Sequence, residues 1–334
     1  MIRNESELEE RLSRPSDADR AAMAQVDGPL LILGAGGKMG PTLAMRAKRA
    51  GAKQVIAVAR YSSSDLRQRL DSSGVETIAA DLLEGESLSD LPDARHVIFM
   101  AAMKFGTTGA EHLTWAMNTY LPGRVVEHYR AARIVSFSTG NVYPLMPLAT
   151  GGATEETPAT PVGEYAQSAL GRERMFQYGA HAYGTESVLL RLNYACELRY
   201  GVLLDIGRKV FERAPVDVTM AMANVIWQGD ANSVCLQALA HCQAPPLVLN
   251  VTGPESLSIR WIAEQFGRRF AIEPVFRGEE AATALLNDSA RAVRLFGYPT
   301  VTPTEMIDWI AEWIGMGGGT HGKPTHFQTR DGRF

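Results

Sequence analysis

Gly34, Gly37 and Gly40 follow directly on the aliphatic run Leu30–Leu33 and lead into a helical pattern. In a strand, turn and helix context such glycines allow positive φ and let the backbone approach a pyrophosphate, while the first amides of the helix supply anion donors. The segment is Gly34-Ala35-Gly36-Gly37-Lys38-Met39-Gly40, so Lys38 and Met39 lie in the stretch that would face the phosphates. Its spacing is G-x-x-G-x-x-G. The commoner G-x-G-x-x-G fingerprint would end on Met39. A Walker A loop would need Gly where Ile32 stands and Ser or Thr at Met39. A dinucleotide suits this turn, against the plainer alternative of a glycine-rich turn without a ligand.

A second group of residues bears on which dinucleotide. The next strand ends Ala57-Val58-Ala59-Arg60-Tyr61-Ser62-Ser63. It offers no carboxylate for a ribose 2′-hydroxyl, whereas Arg60 and the two serine hydroxyls suit a 2′-phosphate, which favours NADP over NAD. Arg60 as a solvated strand-end charge is the competing reading. Asp81 and Leu82 follow the third strand, where an adenine would meet a polar edge and an apolar side chain.

These residues need a frame. Short apolar runs at Leu30–Leu33, Val55–Ala59, Glu76–Ala79, His96–Ala101, Ile134–Ser138, Val188–Leu192 and Leu247–Val251 alternate with helical patterns at Gly40–Ala50, Glu111–Arg130, Tyr165–Gly179 and Ala231–Ala240. That alternation predicts an α/β fold, a Rossmann-like doubly wound parallel sheet with a smaller C-terminal substrate lobe. The expected division is an N-terminal helical extension over 1–28 and a dinucleotide domain over 29–193, to which 225–252 returns. A substrate lobe over 194–224 and 253–316 and a flexible or lightly docked tail over 317–334 complete it. Asn4 and Glu7 resemble a helix cap, with Leu8 and Leu12 one turn apart.

Composition narrows the classes. Among 334 residues, 33 basic and 37 acidic side chains leave a net charge of −4, which gives no sign of a nucleic-acid surface. No apolar run is long enough to span a membrane, and the first thirty residues lack the apolar core of a signal peptide. Cys196, Cys235 and Cys242 form no C-x-x-C pair, so a reducing, cytoplasmic setting is expected. His112, His128, His181 and His241 show no metal spacing, and Trp261, Trp309 and Trp313 fall on helical patterns that suit a core.

The chain resembles the extended short-chain dehydrogenase/reductases, the NAD(P)-dependent epimerase/dehydratase group, from about Pro29 to Gly315. The resemblance rests on the glycine turn, Asp81-Leu82, Val97–Ala102, Asn118, Phe137-Ser138-Thr139-Gly140-Asn141-Val142-Tyr143-Pro144, Tyr165 with Ser168 and Glu173, and Leu249–Gly253. It implies that Gly34, Gly37 and Gly40 hold a pyrophosphate, that Asp81 and Leu82 meet the adenine, and that Ala101, Ala102, Asn118 and Asn193 belong to the cofactor channel. Asn193 lies one residue off the family's usual spacing. It further implies that Thr139 and Tyr165 are catalytic, that Lys104 touches the cofactor, and that helices 111–130 and 165–179 build a homodimer. The implied substrate is a sugar, sugar acid or nucleotide sugar, oxidised or reduced by hydride transfer.

One position departs from the family. Its Y-x-x-x-K is Tyr165-Ala166-Gln167-Ser168-Ala169 here, so the lysine that lowers the tyrosine pKa is absent. Taking a tyrosine from its ordinary value near 10 to about 7 requires roughly 4 kcal/mol from some other charge. Lys104 is one replacement. Arg172, at i+7, stands about 10 Å along the helix axis and looks a poor one. A neutral tyrosine that only donates a proton is a further solution, and a non-catalytic NAD(P)-binding sensor or partner protein would explain the loss directly.

Overall fold

The computed structural model describes residues 2–61, 64–85, 87–104, 106 and 109–332. Two short helices, α1 (Glu5–Ser13) and α2 (Asp17–Met23), precede a sheet of seven parallel strands. The strands are β1 (Pro29–Leu33), β2 (Gln54–Ala59), β3 (Glu76–Ala79), β4 (His96–Phe99), β5 (Arg133–Thr139), β6 (Glu186–Leu192) and β7 (Leu247–Val251). Their order is β7-β6-β5-β4-β1-β2-β3. Leu33 of β1 is in register with Val58 of β2 on one side and Phe99 of β4 on the other. The chain winds outward from β1 to β3 and then returns to place β4 beside β1. Such a reversal opens a crevice above the carboxyl ends of the strands.

Both faces of the inner strands are buried, which is why β1, β2 and β4 are largely apolar, whereas the edge strand β3 is partly exposed. Leu30 and Ile32 pack in one layer with Leu43, Ala44 and Ala47 of α3 (Gly40–Arg49) and Leu70 of α4 (Ser64–Ser72). Leu31 and Leu33 point to the opposite layer and its helices α5 (Glu111–Trp115), α6 (Leu121–His128) and α7 (Glu164–Tyr183), where Leu121, Val125 and Phe176 meet them.

The single helix expected over 111–130 is interrupted by a wide π turn at Ala116–Tyr120. Pro122 has no N–H to give the carbonyl four residues earlier. That carbonyl, of Asn118, instead accepts a hydrogen bond from Arg172 Nε at 3.4 Å.

The second lobe is built on α8 (Val202–Phe211), α10 (Ile259–Phe270) and α12 (Pro303–Gly315), whose Ile206, Phe266, Ile310 and Trp313 share one core. Trp261 and Trp309 pack against it half-buried, in keeping with their sequence pattern. Between these elements α9 (Gln228–Ala238) and β7 run back to the sheet, and α11 (Ala290–Phe296) packs against β7. Asn4 caps α1 by accepting from Glu7 N at 2.9 Å, and the buried Leu8 and Leu12 join the core of the second lobe.

The tail, over its described part 317–332, is largely exposed and docks through a few residues. Phe327 is 2% exposed and belongs to the second-lobe core. Thr325 donates through N and Oγ1 to Asp205 at 2.8 and 2.6 Å, and His321 N donates to Arg199 O at 3.0 Å. Five glycines hid a segment held by one aromatic anchor and paired backbone groups. Phe327→Ala is expected to cost about 3 kcal/mol of stability and to expose 317–332 to limited proteolysis. Unchanged melting and cleavage would show that the anchor does not hold the segment.

Candidate active site

A cavity of about 540 Å³ lies at the carboxyl ends of β1, β4 and β5, walled on its far side by the second lobe and the tail. Its floor is the glycine turn. Gly34 has φ +90°, and a Cβ there would lie 2.5 Å from Ala101 N. A Cβ on Gly40 would lie 2.3 Å from Ala35 O. Gly34 is therefore required where the turn meets the end of β4, and Gly40 where the turn closes on itself. Gly37 differs, because the nearest atom to a Cβ there is Gly34 O at 3.7 Å, and the residue lines the cavity. Met39 caps α3 without a side-chain hydrogen bond, which leaves first-turn amides for an anion. The turn thus fits a dinucleotide pyrophosphate.

Lys38 does more than contribute an amide. Its Nζ crosses to the second lobe, donates to Ala195 O at 2.9 Å and lies 3.9 Å from the centroid of the Tyr200 ring. Burial pulls its ammonium down to about 8.

Thr139 and Tyr165 meet at the end of β5. Thr139 Oγ1 accepts from Asn141 N at 3.2 Å and Asn141 Nδ2 at 3.0 Å, which leaves its proton for the hydrogen bond to the Tyr165 oxygen. Burial pushes the Tyr165 phenol above its ordinary value, against the opposing pull of that hydrogen bond and of the Arg172 charge. Lys104 Nζ lies 5.8 Å from the centroid of the Tyr165 ring, and burial lowers its ammonium to about 8.

Arg172 is closer to the chemistry than its position along the helix implied. Long helical side chains lean toward the helix N-terminus, and this one lines the cavity together with Tyr165 and Thr139. Nη1 donates to Phe137 O at 2.5 Å and Nη2 to Asn118 Oδ1 at 3.0 Å. Burial lowers it to about 10, so it keeps its charge at neutral pH. Ala169, where a lysine was missed, is buried against Val142, Tyr143 and Ala153.

Other sequence candidates stand behind or beside the cavity. Asn118 lies behind the wall, accepting from Met103 N at 2.9 Å and donating to Met103 O at 2.9 Å and Ser168 Oγ at 3.0 Å. It fixes the loop that carries Lys104. Ala102 lines the cavity, while Ala101 backs Gly34. Asn193 lines it too, with its amide donating to Asn224 Oδ1 at 3.3 Å. Arg60 is exposed and lies 3.7 Å from Asp81 Oδ2, and neither residue is on the cavity wall. Leu82 is buried in the core with Leu121 and Val125 of α6 and does not line this cavity. Ser62 and Ser63 lie outside the described residues.

Sequence reasoning missed Arg69, Arg199, Tyr200, His321 and Lys323, all of which line the cavity. They come from loops, a helix and the tail, where no short spacing joins them. Among the described residues no cluster of His, Cys, Asp or Glu could hold a metal ion, and no helix is long and apolar enough to cross a membrane.

A doubly wound sheet with a phosphate-ready glycine turn, facing a hydrogen-bonded Thr and Tyr, defines a dinucleotide-dependent enzyme. The chain belongs to the NAD dependent epimerase/dehydratase family, whose model matches residues 30–196. No curated protein matches it. Among solved structures it is similar to UDP-glucose 4-epimerase of Thermotoga maritima with UDP-glucose, at 15% identity and TM-score 0.72 over 87% of this chain and 99% of that one. It is also similar to UDP-glucuronic acid 4-epimerase of Bacillus cereus with UDP-glucuronic acid and NAD, at 17% identity and TM-score 0.73 over 86% and 99%. A third is UDP-glucose 4-epimerase of Thermus thermophilus with NAD, at 19% and 0.71 over 85% and 98%. The non-catalytic alternative gains nothing from these matches.

The two kinds of glycine separate by mutation. Gly34→Ala and Gly40→Ala are expected to lower the melting temperature, whereas Gly37→Ala leaves it within a few degrees and weakens dinucleotide binding about tenfold. Thermal unfolding with and without NAD or NADP reads both, and a Gly37→Ala protein that binds like the wild type would contradict the cradle.

Proposed function

We propose that this protein oxidises or reduces a hydroxyl-bearing carbon of a sugar, sugar acid or nucleotide sugar, with Tyr165 exchanging the proton of the reacting oxygen. The observation that carries this reading is the hydrogen-bonded Thr139 and Tyr165 pair, which lines the same cavity as Gly34 and Gly37. A bound nicotinamide supplies the acceptor or donor of the hydride. Thr139 holds the oxygen in line with the phenol, and Lys104 adds positive charge beside the ring.

The proton balance follows from the raised pKa of Tyr165. Below that pKa the phenol keeps its proton, so at neutral pH Tyr165 is ready to protonate the oxygen of a carbonyl being reduced. Alcohol oxidation needs the phenolate, whose population grows as pH rises toward the raised value. The charge of Arg172 supports that form. The rate of alcohol oxidation is therefore expected to climb with pH through the alkaline range while carbonyl reduction falls. Tyr165→Phe is expected to lose about 10²- to 10⁴-fold in both directions. Profiles of kcat/KM against pH for the two proteins check this, and a Tyr165→Phe enzyme of ordinary activity would exclude the tyrosine.

For the cofactor, the end of β2 supports NADP over NAD, because it carries the exposed Arg60 and no carboxylate of its own. Arg60→Ala is expected to weaken NADP about tenfold and to spare NAD. Equal effects in the two titrations would remove the preference.

A homodimer is supported by Leu113, Trp115, Tyr120, Tyr178 and Tyr183, exposed apolar side chains on the helical segments 111–128 and 164–183. The three cysteines are free and buried, in keeping with a reducing, cytoplasmic setting.

A further inference from the structure

We propose that Glu9 of α1 is an internal competitor for ligand phosphate: its carboxylate occupies an anion subsite at Arg69 on the cavity wall, and a phosphate-bearing ligand binds there by displacing it. The proposal rests on the dinucleotide reading above.

Helix α1 presents two faces. Leu8 and Leu12 are fully buried in the second-lobe core, which fixes the helix, while Glu5 and Glu9, one turn apart, both reach Arg199. Glu9 Oε1 also pairs with Nη1 of Arg69 on α4, so one carboxylate oxygen faces guanidinium groups from both halves of the protein. Glu9, Arg69 and Arg199 all line the cavity, and among the described residues Glu9 is the one carboxylate that does.

The two arginines depend on it unequally. Arg199 is buried and keeps Glu5 at 3.1 Å and Glu197 at 3.2 Å when Glu9, 3.7 Å away, turns aside. Arg69 is half-exposed, and among the described residues Glu9 is its one ion-pair partner. An ion pair open to solvent adds little net stability, so giving it up for another anion costs little. A phosphate offers more charge and more acceptor oxygens than a carboxylate, and the guanidinium fork matches it. Rotation of one glutamate side chain makes the exchange, with α1 left in place.

Position indicates which phosphates arrive. Gly36, Gly37 and Leu66 share the wall with Arg69, and a Cβ on Gly36 would lie 2.9 Å from the Cβ of Ala59 at the end of β2. A dinucleotide held by the glycine turn runs its adenosine half past that strand end. Arg199 faces the same oxygen from the second lobe, so a phosphate carried by the substrate is the other source.

The test is a set of calorimetric titrations of the full-length protein with NAD, NADP, UDP-glucose and adenosine, for the wild type, Glu9→Gln, Arg69→Met and the double variant. Glu9→Gln is expected to tighten at least one phosphate-bearing ligand about tenfold and to leave adenosine unchanged, and the double variant to lose the gain. A gain for NADP alone assigns the 2′-phosphate to Arg69, an equal gain for NAD and NADP the pyrophosphate, and a gain for UDP-glucose alone the substrate's diphosphate. Glu9→Asp, with the charge on a shorter stem, is expected to show a smaller gain, and the melting temperature of each variant reports folding separately. No gain for any of the three ligands, or a gain that survives Arg69→Met, would overturn the proposal. A gain for UDP-glucose in a protein that binds neither dinucleotide would instead overturn the reading beneath it and leave the subsite standing.

Discussion

The guanidinium of Arg172 is buried and donates to Phe137 O on β5 and to the carbonyl and side chain of Asn118 within the π turn. Next to it, Glu173 accepts two hydrogen bonds from Arg191 on β6, at 2.9 and 2.6 Å, and one from Ser138 on β5 at 2.6 Å. Two adjacent residues of α7 thus lock the helix to both strands that flank the cavity. Removing one member of such a buried pair strands the other charge, typically at 3–5 kcal/mol. Thr139 lies one residue past Ser138 and Tyr165 two turns before Arg172, so the reacting pair inherits its spacing from these contacts. Arg191 also donates to the Tyr143 hydroxyl at 2.6 Å, and that hydroxyl donates to Asn250 on β7 at 2.9 Å. The network crosses three strands below the site.

Much of the fold was legible in the residues, because buried parallel strands must be continuously apolar and helices must follow them. Seven predicted strands are the seven strands of the sheet, with boundaries within two residues. Gly34 and Gly40 were legible for the same kind of reason, since only glycine permits the approach to Ala101 and Ala35. Thr139 and Tyr165, singled out by the family resemblance and not by their spacing, are hydrogen-bonded at the end of β5.

What stayed hidden depends on side-chain reach. Axial spacing between backbones places Arg172 about 10 Å from Tyr165, whereas a side chain that leans toward the helix N-terminus covers much of that distance. Lys38 belongs to the glycine turn, yet its side chain spans to Ala195, 157 residues on in sequence. Lys323 belongs to a glycine-rich stretch whose composition suggests mobility, and Phe327 four residues later supplies the anchor. Arg60 and Asp81 are far apart in sequence but lie 3.7 Å apart, since neighbouring parallel strands bring the ends of β2 and β3 side by side.

The N-terminal helix joins the lobes by a different chemistry from the site below it. Glu10 pairs with Arg49 of the dinucleotide domain at 2.9 Å, Glu9 with Arg69, and Glu5 with Arg199 of the second lobe at 3.1 Å. Several of these groups are open to solvent, where added salt shields charges over about 10 Å at 0.1 M. Lys38 and Arg172 are enclosed and feel little of that shielding. Ionic strength therefore acts on the mouth of the cavity as a selective solvent: it slackens the strap while leaving the geometry around Tyr165 intact.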